Sequence, residues 1–207
     1  MESGAKVHKI VGIVLYNDVE LLDFSGPVEA FTLSENKNYF ANSPFQVITI
    51  AQTTQTILTR GGIKVMPDFS FETCPKLDLL IIPGGRGTRR EMYNPSLIGW
   101  LNRVKDDIPI IASVCSGALI LARLDDMDGK LLATHKNVRE TLEKSFPNVK
   151  VSKERCAQDG KYYSSAGISA GIDLALRIIA DVIDHETAKQ VSDAMEYDWK
   201  ECLPDNL

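Results

Sequence analysis

The sequence predicts an α/β fold with a mostly parallel central sheet covered by helices on both faces. Two observations carry that expectation. Short, almost wholly apolar runs, such as residues 10–16 (IVGIVLY) and 77–82 (LDLLII), have the character of strands buried on both faces. Segments with apolar residues at helical spacing, such as Leu97, Ile98, Leu101 and Val104, alternate with them.

The elements follow in order along the chain. After the strand at 10–16, Ser25 is an N-cap candidate. Pro27 then falls in the first turn and Glu29 near the positive end of a helix running to about Leu33. Residues 45–51 (FQVITIA) are the next strand, and 59–66 a short ribbon around Gly61 and Gly62. The strand at 77–82 is stopped by Pro83, Gly84 and Gly85. Pro95 opens an amphipathic helix, 108–114 is a strand, and 117–124 is the helix after it. A brief strand at 131–134 precedes a helix at 138–145 with Val138 and Leu142 inward. Residues 149–157 and 161–165 read as strands joined at Asp159 and Gly160, a strong hairpin signal. Two helices, 168–183 and 186–197, follow, the first heavily apolar. With no repeat, low-complexity tract or linker, residues 1–207 are expected to form one domain.

Composition narrows the function classes. The chain is 44% hydrophobic and 25% charged, enough to bury a core without disulfides or a structural metal. A net charge of −5 with no basic block argues against nucleic acid and anionic membranes as partners. No apolar run approaches the roughly 20 residues that span a bilayer, and Met1 to Lys6 lack the apolar stretch of a leader. The four cysteines, Cys74, Cys115, Cys156 and Cys202, show neither a CxxC pair nor close histidine spacing. No zinc site is therefore expected, the default compartment is the cytoplasm, and each cysteine is expected as a free thiol.

Ligands of open α/β sheets bind beyond the carboxyl ends of the strands, and three strand ends here are unusual. In IIASVCSGA, Cys115 stands where a strand turns into a helix, the layout of a nucleophile elbow. Free N–H groups and the helix dipole at that position are expected to lower its pKa below about 8.5 and make it the most reactive of the thiols. The same position also suits a small buried residue. In IIPGGRG, the glycines let backbone N–H groups approach a ligand and, with the N–H of Ser116, form an oxyanion hole; the plain alternative is a tight turn. In LDFSGP, Asp23 among apolar residues is expected to have a raised pKa suited to proton transfer, or simply to stabilise a helix start. Of the histidines, His135 in ATHK reaches the same rim, while His8 and His185 read as structural or solvated.

The ordered conjunction of LDFSGP, IIPGG, SVCSGA, ATH and SAGISAGIDLAL resembles the ThiJ/PfpI family of the class I glutamine amidotransferase-like superfamily, over about residues 10–199. Within it, GISAGID and the short LDxxGP segment look most like the branch holding isocyanide hydratases and the amidotransferase-like domains of AraC-type regulators. The resemblance implies a flavodoxin-like three-layer sandwich, a homodimer, a small-molecule substrate and no cofactor or metal. It makes Cys115 the nucleophile and Asp23 the acid that shuttles protons, with Gly85, Ser116 and Gly84 binding the oxyanion or substrate and His135 a further candidate. Relatives of the protease type carry histidine directly after the cysteine, where this chain has Ser116. Relatives acting on glyoxals commonly carry glutamate where it has Asp23. The implied activity is isocyanide hydration. The alternatives are a glyoxalase or amidase, a ligand-binding or regulatory module, and a redox sensor acting through Cys115.

Overall fold

The computed structural model describes residues 8–34 and 43–202; Met1 to Lys6, read above for a leader, lie outside them. The chain opens with β1 (Lys9–Val14), α1 (Leu21–Thr32) and β2 (Phe45–Ala51). A ribbon of β3 (Ile57–Leu58) and β4 (Lys64–Val65) leads to β5 (Phe69–Ser70) and β6 (Leu79–Ile82). Next come α2 (Thr88–Glu91), α3 (Pro95–Val104), β7 (Ile110–Val114), α4 (Ala118–Leu121), β8 (Leu131–Ala133) and α5 (Arg139–Ser145). The chain continues with β9 (Lys150–Ser152), β10 (Cys156–Asp159), β11 (Tyr162–Ser165), α6 (Ala170–Val182) and α7 (His185–Ala194).

Seven strands form one sheet in the order β10-β11-β7-β6-β1-β2-β5. Every pair is parallel except β10 with β11. The central strands are apolar because helices cover both faces: Val11, Ile13, Leu80, Ile82 and Ile111 are fully buried. From β1 the chain crosses through α1 to β2 on one side. It later returns to place β6 on the other side of β1. The carboxyl ends of β1 and β6 therefore open a crevice at the switch in strand order. The architecture is the expected flavodoxin-like α/β sandwich.

Four local expectations need correction. First, α1 starts at Leu21, so Ser25 is mid-helix and Pro27 lies inside the helix. The proline had suggested a start, but it removes one interior N–H instead, the donor that would otherwise reach the Asp23 carbonyl. Asp23 thereby sits in the first turn, fully buried. Second, α2 and β5 were not anticipated; at four and two residues they are too short for periodicity to register. Third, residues 149–157 are two strands. β9 pairs with β8 in a separate ribbon, whereas β10 joins the main sheet through the hairpin with β11. Asp159 pairs with Tyr162, so the turn is Gly160-Lys161, with Gly160 at φ 60°.

The fourth correction concerns the thiols. Cys156 and Cys202 form a disulfide with Cα atoms 5.5 Å apart, leaving Cys74 and Cys115 free. The partners lie 46 residues apart and meet because the tail after α7 folds back over α6. Asp173 of α6 accepts the Lys200 N–H at 2.8 Å, and Arg177 donates to the Cys202 carbonyl. Cysteine usage thus no longer argues for a reducing compartment. Among the described residues, no helix is long and apolar enough to cross a membrane.

Candidate active site

Cys115 follows β7 directly and has a φ of 58°, a left-handed conformation uncommon for a residue with a side chain. Two neighbouring strand ends hold it there. Its N–H donates to the Ala166 carbonyl at 3.3 Å, and its carbonyl accepts from Thr134 Oγ1 at 2.7 Å. A single 3₁₀ turn, Cys115–Gly117, then leads into α4. This is the expected elbow, with its strain carried by contacts from after β8 and β11.

The turn after β6 is threaded between Asp23 and Ser116. Gly84 donates its N–H to Asp23 Oδ2 at 2.9 Å, and Gly85 donates its N–H to Ser116 Oγ at 3.0 Å. A side chain at residue 84 would place its Cβ 2.7 Å from Asp23 Oδ2, Ser116 N and Ser116 Oγ alike, so only glycine fits. From beneath, Tyr16 donates its hydroxyl to the carbonyls of Pro83 and Gly84, while Thr88 of α2 donates to Gly85 O at 2.8 Å. The oxyanion donors expected at Gly84 and Gly85 are therefore already engaged, one on the carboxyl and one on the serine hydroxyl. These amides position Asp23 and Ser116. The Ser116 N–H is the donor that faces the sulfur, where it lowers the thiol pKa.

Asp23 is fully buried; among the described residues its Oδ1 has no nitrogen or oxygen donor, and the Cys115 thiol is the group that bonds the carboxyl besides the Gly84 N–H. Burial pushes its carboxyl up to about 7, with the Gly84 N–H working against that and the Glu20 charge adding to it. Glu20 itself is paired with the exposed Arg60 at 2.5 Å. Burial, then the Asp23 charge, push the Cys115 thiol up to about 12. The expectation of a lowered thiol pKa is thus overturned. A helix of four residues has little dipole to offer against the loss of water around a thiolate that is 8% exposed. Together the two groups hold the thiol protonated, beside a carboxyl that gains or loses its proton near neutrality.

His135 also reaches this rim. Its ring and the Cys115 sulfur flank Gly167, where a Cβ would lie 3.0 Å from His135 Cγ and 2.9 Å from Sγ. His135 Nδ1 accepts the Asn137 N–H at 3.2 Å, which leaves the proton of a neutral ring on Nε2. His8 and His185 lie elsewhere, bonded to Ser43 O and Glu201. The structure thus gathers Cys115, Asp23, Gly84, Gly85, Ser116 and His135 at one rim. It adds Tyr16, Thr88, Thr134 and Gly167, which the sequence reading did not single out. Tyr16 and Thr134 carry a faint signal, since each lies at or beside the carboxyl end of a strand. Among the described residues no cluster of three or more His, Cys, Asp or Glu is placed to hold a metal.

Residues 8–181 match the profile of the DJ-1/PfpI family. The isonitrile hydratase of Pseudomonas putida is 28% identical over 188 residues, covering 90% of this chain and 78% of that protein. The HTH-type transcriptional regulator CdhR of Pseudomonas aeruginosa is 30% identical over 137 residues, 66% of this chain but 40% of the regulator. Among solved structures, a ThiJ/PfpI-family protein from Pseudomonas syringae superposes with a TM-score of 0.84 at 23% identity, covering 98% of this chain and 84% of that one.

Proposed function

The chain belongs to the DJ-1/PfpI family, and from that premise we propose that it is a cysteine-dependent enzyme that hydrates isocyanides to N-substituted formamides. The observation that carries this reading is the pairing of Cys115, in its strained elbow, with the fully buried Asp23 carboxyl that the Gly84 N–H orients; burial pushes that carboxyl up to about 7. The likeness to an isonitrile hydratase over 90% of the chain supports it.

In this mechanism the Asp23 carboxylate takes the thiol proton as Cys115 sulfur attacks the terminal isocyanide carbon. Asp23 then delivers that proton to the same carbon, which leaves a thioimidate and restores the carboxylate. Next it removes a proton from water as the water oxygen adds to the thioimidate carbon. That proton passes to nitrogen. Finally the hydroxyl proton returns to sulfur through Asp23 as the C–S bond breaks, releasing the formamide. Oδ1 serves these transfers while Oδ2 stays on Gly84. Ser116 N–H stabilises the sulfur, and His135 Nε2–H is a second donor for the substrate. In the same proposal the chain acts as a homodimer without cofactor.

The match to a transcriptional regulator favours a second reading, a ligand-binding domain whose Cys115 does not turn over. Purified protein incubated with cyclohexyl isocyanide, methylglyoxal and a peptide amide, followed by NMR, separates the readings. Formamide from the isocyanide at tens of turnovers or more supports hydration. Lactate from methylglyoxal, cleavage of the amide, or no product from any of them rejects it.

A further inference from the structure

A second cleft, of about 210 Å³, lies over the carboxyl ends of β1 and β2, next to the catalytic rim. Leu15, Ile57, Leu97 and Phe71 give it an apolar wall. Phe71 is held by stacking on Trp100, with centroids 4.5 Å apart and planes 8° from parallel. Among the described residues lining the cleft, Glu91 of α2 alone is charged. An apolar wall with a few convergent polar groups is the usual make-up of a small-molecule site.

We propose that this cleft binds a compact organic ammonium ion, its charge on Glu91 and its apolar body against Phe71, Ile57 and Leu97. The Glu91 side chain is 9% exposed, so a charge brought to it is partly shielded from water. Arg90 Nε holds Oε1 at 2.9 Å, and Asn94 Nδ2 holds Oε2 at 2.8 Å. The same amide nitrogen donates to Gln52 Oε1 at 3.1 Å, which fixes Asn94 across the cleft. A carboxylate oxygen accepts two hydrogen bonds, so Oε2 keeps a place for an ammonium N–H. Arg90 does not cancel the site, because it also faces Asp18 at 3.6 Å. The group of Asp18, Glu91 and Arg90 therefore carries one surplus negative charge. The rings of Phe71 and Tyr16, which also line the cleft, add a face that attracts cations.

The probe is benzylammonium chloride, with benzyl alcohol and benzoate as neutral and anionic counterparts. Each is titrated into the full chain carrying ¹³C-labelled Leu and Ile methyls. The expected result is saturable shifts at Leu15, Ile57 and Leu97, with benzylammonium bound at least about tenfold more tightly than benzyl alcohol. Glu91→Gln should erase that preference. Thr56→Trp, at an exposed lining position, should fill the cleft and abolish the shifts in a folded protein. Equal affinity for the alcohol, tighter binding of benzoate, or shifts that persist in Thr56→Trp would each overturn the proposal, even if Glu91→Gln does not fold. Isocyanide turnover takes no part in the readout, so this site stands or falls apart from the proposed hydratase activity.

Discussion

Asp23 and Gly84 meet across 61 positions of sequence, the glycine N–H donating to one carboxyl oxygen at 2.9 Å while the other oxygen, among the described residues, stays buried with no nitrogen or oxygen donor. A buried polar atom without such a donor ordinarily costs about 1–3 kcal/mol, so its presence calls for a use. Fixing Oδ2 sets the direction of the carboxyl, and the open Oδ1 is the oxygen free to exchange a proton. The same burial also brings the pKa to about 7.

Asp23→Asn tests that use in two ways. Asparagine still accepts the Gly84 N–H but moves no proton, so turnover should fall by about 10²-fold or more. Stability should move in the opposite direction and depend on pH. The folded pKa, about 7, lies above the unfolded 3.8. The proton therefore stabilises the fold fully below 3.8, and that stability is lost as pH rises to about 7. The variant lacks this loss, so its melting temperature should exceed the wild type's more at pH 8 than at pH 4. A constant difference across that range would show that Asp23 is not buried as a charge.

Plain alkylation reports the thiol itself. With its thiol pushed up to about 12, Cys115 should react slowly with iodoacetamide at pH 7 and speed up steadily to pH 10 without a plateau. Cys74, pushed up to about 11 by burial, should react no more slowly than Cys115. Removing the Asp23 charge should accelerate Cys115 labelling at pH 9 even as it lowers turnover. A wild-type labelling plateau already reached at pH 6, read by peptide mass spectrometry, would mean a standing thiolate and reject the proton-transfer route from thiol to Asp23.

The layered fold and most of the rim were legible because their signals are local. Apolar runs mark β1, β6 and β7, and their abrupt ends in PGG and CSG mark where chemistry can sit. Asp23 was visible as an acid in an apolar setting, yet Pro27 misdirected the N-cap by five residues, to Ser25 instead of Glu20. What stayed hidden depends on distance in sequence. The Gly84 and Gly85 amides looked free because their acceptors come from elsewhere in the chain, Asp23 from the first turn of α1 and Ser116 from the turn after β7. The thiol looked acidic because a helix N-terminus can be read from sequence whereas the depth of burial cannot. The Cys156–Cys202 pairing needed the path of the tail.

Gly167 separates His135 from Cys115, and Gly167→Ala tests whether that spacing matters. The added methyl would lie 2.9 Å from the sulfur and press on the imidazole. One of the two side chains must move, and the strained Cys115 backbone is held by Ala166, the residue just before. Turnover should fall by roughly 10-fold or more, since small misplacements of a reacting group carry large rate costs. Circular dichroism and melting should stay near wild type. Unchanged turnover in the folded variant would remove His135 and Gly167 from any part in shaping the site.

Besides the Arg177 hydrogen bond to the Cys202 carbonyl and the exposed His185–Glu201 contact, two grips hold the tail after α7 and predict how it lets go. One is the disulfide, closing a separation of 46 residues between Cys156 and Cys202. The other is Asp173, fully buried, which accepts from Arg155, from Tyr197 Oη at 3.0 Å and from Lys200 N at 2.8 Å. Thiol titration of denatured, unreduced protein should find Cys74 and Cys115 free and the other pair silent. Cys202→Ser should cost roughly 2–4 kcal/mol in denaturant melts, the usual worth of a native disulfide. Reduced wild-type protein should melt with that variant. Amide exchange at residues 197–200 should stay slow in Cys202→Ser, because the Asp173 grip survives. Arg155→Met strips the buried carboxylate of its guanidinium, so combined with Cys202→Ser it should release those amides to fast exchange. Fast exchange in Cys202→Ser alone would show that the carboxylate network does not hold the tail without the disulfide.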